Sequence, residues 1–174
     1  RPSVELYEDL AEQKDIRIEP ACEPALDVPL DRSRMRQVIA NLLDNAVKYT
    51  PPGGLIRIEA RRHGADALLS VSDTGIGIPA DELPRIWDRL YRGDKSRSER
   101  GLGLGLSLVR AIVEAHHGTA SVRSAPHGGS RFELRLPAPL TPLESRGQRP
   151  VSPAPCARCR RVVVTPTRGP LQTP

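Results

Sequence analysis

Residues 31–50 carry a helical pattern with two opposed faces, and no other stretch limits the fold of this chain so strongly. Met35, Val38, Ile39, Leu42, Leu43, Ala46 and Val47 fall at the spacing of a single buried stripe. Asp31 stands where a side-chain oxygen caps a helix start, and Pro51-Pro52-Gly53-Gly54 stops the helix. At roughly 100° per residue, Asn41, Asn45 and Lys48 fall within about 60° of one another on the opposite side, with Asp44 beside them. Two carboxamides and an ammonium on one stripe suit a phosphate and metal site. An Asn carbonyl is a hard oxygen ligand for Mg²⁺, and Lys supplies a point charge to phosphate. Alone, the same stripe also reads as a solvated helix face.

The flanking patterns alternate helix and strand. Residues 3–14 place Val4, Leu6, Tyr7, Leu10 and Ala11 at helical spacing, and Ile16 and Ile18 alternate with charges in a short strand. Residues 55–61 and 67–72 read as strands joined by a hairpin at 62–66. Residues 104–117 read as a helix closed by Gly118, and residues 119–124 and 130–136 as a final hairpin. The expected fold is α/β (α+β): a two-layer sandwich with one helical layer on a mixed, mostly antiparallel sheet. With 38% apolar and 3% aromatic residues, its core is aliphatic.

The net charge of +5 invites a nucleic-acid reading that its distribution removes. Residues 1–137 hold 20 basic and 20 acidic residues, whereas residues 138–174 hold six Arg and one Glu. A neutral body with a basic tail is not a DNA-binding domain by charge. The tail, rich in Pro, Arg, Ser and Thr, buries too little to offset its ordering entropy and is expected to be disordered. Cys156 and Cys159 form a lone C-x-x-C, read as free thiols in that tail, and Cys22 has no partner. No apolar run is long enough to span a bilayer, and the amphipathic, acidic N-terminus is not a signal peptide.

Two further motifs carry chemistry. Asp73-Thr74-Gly75-Ile76-Gly77 follows a strand. A carboxylate there can accept from the exocyclic amine of adenine and would repel the carbonyl of guanine, and the glycines let backbone approach a flat ring. The motif alone also reads as a tight turn with an Asp cap. Gly101-Leu102-Gly103-Leu104-Gly105-Leu106-Ser107 opens a helix whose N–H groups can bind anions. Its G-x-G-x-G spacing, after a charged loop rather than a strand, is not a dinucleotide fingerprint, and no Walker A loop is present.

Together, in this order, the motifs resemble the ATP-binding domain of sensor histidine kinases, of the Bergerat-fold ATPase superfamily. The run from Arg36 to Pro51 resembles the N box, Asp73 to Gly77 the G1 box, and Gly101 to Gly105 the G2 box. Ile86-Trp87-Asp88-Arg89-Leu90-Tyr91-Arg92 resembles the F box, with Trp87 and Leu90 where Phe is usual, and Gly128-Gly129-Ser130-Arg131-Phe132 resembles the closing strand. The resemblance covers residues 20–137, with a connecting helix and first strand in 1–19 and an ATP lid at 79–100. It implies ATP and Mg²⁺, with Asn45 as the metal ligand and Asn41 beside the phosphates. Lys48 is then expected on a phosphate and Tyr49 near the ribose or adenine. Asp73 is expected on the adenine amine, supported by Gly75 and Gly77. Ile86, Trp87, Leu90 and Tyr91 are expected to pack the lid down, with Arg97 or Arg100 in reach of the γ-phosphate. Gly101, Leu102, Gly103, Leu104 and Gly105 would hinge the lid and cradle phosphates.

The implied reaction moves the γ-phosphoryl of ATP to a histidine. In the family that histidine precedes an acidic residue on a separate dimeric hairpin. His63, His116, His117 and His127 all lack this context. The partners implied are therefore a histidine-bearing dimerisation domain and, indirectly, a response regulator. The chain is expected to be a cytoplasmic fragment, a truncated product or a domain acting in trans, with a frame shift near residue 140 as one origin of the tail. Two other readings stand: a nucleotide-binding module without transfer activity, and a serine kinase of the anti-sigma type.

Overall fold

The structure, a computed structural model, describes residues 2–23, 26–93, 102–138 and 160–163. In chain order they form α1 (Pro2–Gln13), β1 (Arg17–Cys22), β2 (Asp27–Leu30), α2 (Arg32–Tyr49), β3 (Leu55–His63), β4 (Asp66–Asp73), α3 (Gly105–Ala115), β5 (Thr119–Ser124), β6 (Ser130–Pro137) and β7 (Arg160–Val163). Five strands make one sheet in the order β1-β3-β4-β6-β5. Only β1 and β3 run parallel; the other pairs are antiparallel. The expected sandwich is what forms.

The register explains the core. Ile58, Val71, Phe132 and Val122 face one another across four strands. With Ile56, Leu134 and Leu136 they meet the buried stripe of α2 and Val109, Ile112 and Val113 of α3. Period-two burial on the strands and period-3.6 burial on the helices thus close on a single apolar layer. The other sheet face is polar. Glu59 takes Arg131 at 2.7 Å, and Glu19 takes Arg57 at 3.0 Å. Such half-exposed pairs contribute little to stability, about 0–1 kcal/mol.

The caps follow the sequence at one helix and depart from it at the other. Asp31 Oδ1 accepts from the Ser33 and Arg34 amides at 2.8 and 3.1 Å, which starts α2 as expected. At the end of α3 the left-handed residue is His117, at φ +59°, one position before Gly118. Gly118 instead lies so close to the Arg135 carbonyl and Leu136 that a side chain there would collide. The ring of His116 also ties the helices together. Its Nδ1 donates to the Ile112 carbonyl at 2.8 Å, and its Nε2 accepts from the Asp31 amide at 3.2 Å. These two bonds together require the neutral ring with its proton on Nδ1.

Two strands were not anticipated. β2 precedes α2, buries Val28 and Leu30, and pairs antiparallel with β7. β7 belongs to the stretch 138–174 expected to be disordered, so that expectation does not hold at Arg160–Val163. The physical reason is an open edge on β2 meeting a segment that contains adjacent β-branched residues. The rest of that stretch beyond Ala138, including Cys156 and Cys159, lies outside the described residues. No helix among the described residues is long and apolar enough to cross a membrane.

Candidate functional site

Between α2, the end of β4, the start of α3 and the loop from Pro79 to Gly93 lies a cavity of about 370 Å³. That is within the usual size of small-molecule sites, roughly 300–1,000 Å³. Asn41, Asn45, Lys48, Tyr49, Asp73, Gly77, Leu102, Gly103, Leu104 and Gly105 all line it, so motifs far apart in sequence converge on a single space.

One end is closed by β4. Asp73 sits at the last position of that strand, opposite Ile56 on β3 and Ser130 on β6. Its Oδ1 accepts from the Gly75 amide at 2.8 Å and the Ser130 amide at 3.2 Å. Burial pushes its carboxyl pKa up, and the two backbone hydrogen bonds oppose that rise. Both bonds use Oδ1, which leaves Oδ2 to the cavity. Gly75 itself does not line the cavity. It packs against the Tyr49 carbonyl, where a Cβ would collide, and steadies Asp73 through its amide. Gly77 adopts φ +69°, and a Cβ there would overlap the Ala125 carbonyl. The loop is held on three sides. Ile76 donates to the Tyr49 carbonyl at 3.1 Å and accepts from the His127 amide at 2.8 Å. Ile78 donates to Ser124 Oγ at 2.8 Å.

The other end is built from α2 and α3. Lys48 Nζ stands 5.1 Å from the centre of the Tyr49 ring. Asn41 Nδ2 is fully buried and has no hydrogen-bond partner. Asn41 lies next to Gly105, the first residue of α3, where an added Cβ would come within 3.4 Å of Asn41 Oδ1. The N-cap position of α3 is Leu104, whose side chain cannot cap, so the first-turn N–H groups receive no side-chain acceptor there. An orphaned amide donor beside an uncapped helix start is a site for an anion.

The loop from Pro79 folds as successive turns rather than a helix, beginning with the Glu82 and Leu83 amides on the Pro79 carbonyl at 3.0 and 3.2 Å. Ile86 is buried, Trp87 meets Phe132 edge-on at 6.1 Å, and Tyr91 packs on the core under Arg85. Leu90 differs from the expectation. It is 68% exposed at φ +63°, and only its backbone engages, donating to the Gly103 carbonyl at 3.0 Å. Gly103 lies against the backbone of Leu90 and Tyr91, where an added Cβ would collide. Arg97, Arg100 and Gly101 lie outside the described residues. Sequence reasoning named neither Glu82, which lines the cavity and packs on Gly93, nor Ser130 as the second donor to Asp73. Ser130 could have been found from the glycine pair that precedes it on a strand start.

Residues 30–140 match the family model described as histidine kinase-, DNA gyrase B-, and HSP90-like ATPase. The sensor histidine kinase TmoS of Ectopseudomonas mendocina is 41% identical over 134 residues, covering 75% of this chain and 14% of that protein. The solved mycobacterial sensor histidine kinase MprB superposes with a TM-score of 0.69 at 31% identity, over 79% of this chain and 95% of that one. Full-length ShkA, solved in complex with AMPPNP, gives a TM-score of 0.70 at 30% identity, over 80% of this chain and 29% of that one. The chain thus spans a small part of the full-length relatives and nearly all of the MprB structure.

Proposed function

This chain belongs to the histidine kinase-, DNA gyrase B- and HSP90-like ATPase family, as an ATP-binding catalytic domain of the sensor histidine kinase kind, and from that premise we propose that it binds Mg²⁺-ATP and transfers the γ-phosphoryl to a histidine on a separate helical dimerisation domain. One observation carries the reading. A single cavity joins a half-buried carboxylate at one end to an orphaned amide and an uncapped helix start at the other. A molecule with an amine-bearing base and a polyphosphate matches both ends.

In this reading Oδ2 of Asp73 accepts the exocyclic amine of adenine, while Oδ1 stays with Gly75 and Ser130. Tyr49 flanks the ribose or base. Asn41 Nδ2 and the first N–H groups of α3 donate to phosphate oxygens, and Lys48 adds its charge. The donor set also fits Mg²⁺, because the Asn45 amide oxygen is a hard ligand on the stripe that meets the phosphates. Asn45 would hold the ion, which would supply positive charge beside the phosphate oxygens. The imidazole nitrogen of the acceptor forms the bond to γ-phosphorus, and the bond to the bridging oxygen breaks, with its electron pair leaving on ADP. The lid keeps water from replacing the histidine. None of the four histidines lines the cavity, which accords with an acceptor on another domain. ATP places the domain in the cytoplasm, and in the family a response regulator receives the phosphoryl group next.

Calorimetric titration of the chain with ATP, with and without Mg²⁺, tests the binding half. Mg²⁺-dependent binding that excludes GTP and is much weaker in Asp73→Asn is the expected result, and no binding by a folded sample would overturn it. Incubation with [γ-³²P]ATP and a purified histidine hairpin tests the transfer half. Binding without transfer to any hairpin supplied would favour a nucleotide-binding module that acts by contact alone.

A further inference from the structure

Lys14 follows α1 directly, yet its side chain ends on α2. Nζ donates to the Val47 carbonyl at 2.9 Å and the Lys48 carbonyl at 3.4 Å, across more than thirty residues of sequence. The last carbonyls of a helix have no partner within it, and a cation there is also favoured by the helix dipole. The next carbonyl, Tyr49 O, accepts from Ile76 in the loop that carries Asp73. Three consecutive carbonyls at the end of α2 are therefore divided between the α1 corner and the base-binding loop. The corner is fastened a second time by backbone. Gly53 donates to the Asp15 carbonyl at 2.7 Å, Arg17 donates to Gly54 at 3.0 Å, and Asp15 takes φ +55° to allow it.

We propose that Lys14 is a positioning residue for the nucleotide helix, locking the rotation of the last turn of α2, and with it Asn45, Lys48 and Tyr49, to the position of α1. The proposal rests on the nucleotide-binding reading above. Those three side chains line the cavity within one turn of the carbonyls that Lys14 holds. A turn of α2 that moved them would break both Lys14 bonds. Displacement of α1 thus alters nucleotide affinity, and nucleotide binding holds α1 in place by the same factor.

The test uses the full chain as wild type, Lys14→Met and Lys14→Arg. Amide hydrogen exchange without nucleotide reads the clamp itself, and Mg²⁺-ATP calorimetry well below each Tm reads its consequence. Lys14→Met is expected to bind roughly tenfold more weakly, a coupling of ordinary size, and to exchange faster at residues 46–50 while β4 and β6 stay protected. Lys14→Arg, which keeps a donor, is expected to restore most of both. Unchanged exchange at α2 with wild-type affinity would overturn the proposal. So would a uniform rise in exchange across the sheet, which marks a merely structural role. Failure of the wild type to bind ATP would sink the nucleotide reading, while the exchange measurement would still decide whether Lys14 sets α2.

Discussion

The two ends of the cavity are built on opposite principles. At the Asp73 end the polar groups named above are answered within the protein: Oδ1 of Asp73 by Gly75 and Ser130, Ile76 by Tyr49 and His127, Ile78 by Ser124. At the α3 end one amide donor and one helix start are left unanswered. Asn41 Nδ2 has no partner, and Leu104 cannot cap the first turn of α3. A flat base needs a slot of fixed shape, which backbone bonds and glycines provide. A charged polyphosphate needs donors that are free until it arrives, and those donors cost stability in its absence.

Four substitutions, with a fifth as a contrast, break or sharpen that comparison; the four run from the largest effect to the smallest. Gly77→Ala should do most damage. It puts a Cβ into the Ala125 carbonyl at a positive φ, and is expected to cost about 3 kcal/mol in urea unfolding and abolish ATP binding. Wild-type behaviour would show that the base end is more pliable than its geometry.

Asp73→Asn separates binding from stability. Affinity for ATP should fall on the order of 100-fold, while unfolding should be unchanged or slightly harder, because a half-buried charge is removed. The same point is testable by pH. The carboxyl pKa of Asp73 is raised by burial, so its contribution favours the folded state below the ordinary Asp pKa and is lost as pH rises through the raised folded value. The ionised Asp73 carboxylate therefore costs stability at neutral pH. Acidification should weaken ATP binding at a higher pH than an ordinary Asp would, and the Asp73→Asn affinity should be flat across that window.

Asn41→Leu probes the other end. Replacing the orphaned donor with an apolar group of similar size should stabilise the nucleotide-free chain by about 1 kcal/mol and weaken ATP binding by calorimetry. A loss of stability would mean that the Asn41 donor has a partner within the protein. Leu90→Asn should be the smallest, within about 0.5 kcal/mol in thermal unfolding, because the side chain is exposed and Asn tolerates the left-handed backbone. Trp87→Ala, on the same segment but packed on Phe132, serves as its contrast, at about 3 kcal/mol.

Much of this was legible residue by residue, because the signals were local. The two faces of α2, the alternation of β3 and β6, and the Asp73 loop each lie within twenty residues, and periodicity reports them. What escaped was set by distant partners. β2 is four residues with a proline, and β7, with which it pairs, lies some 130 residues away. Leu90 sits in a motif position that suggested packing, yet its backbone, bonded to Gly103, makes the contact and its side chain is exposed. Nothing near Lys14 in sequence points to Val47 and Lys48.

By itself, then, the sequence determined the layers, the aliphatic core and the polar residue types of the cavity wall, because burial and capping act over one or two turns of chain. Tertiary structure alone decided which Asp73 oxygen is committed, which amide is stranded and which lysine steadies the helix. Each of these depends on a hydrogen-bond partner brought within about 3 Å by the fold, and no local pattern carries that distance.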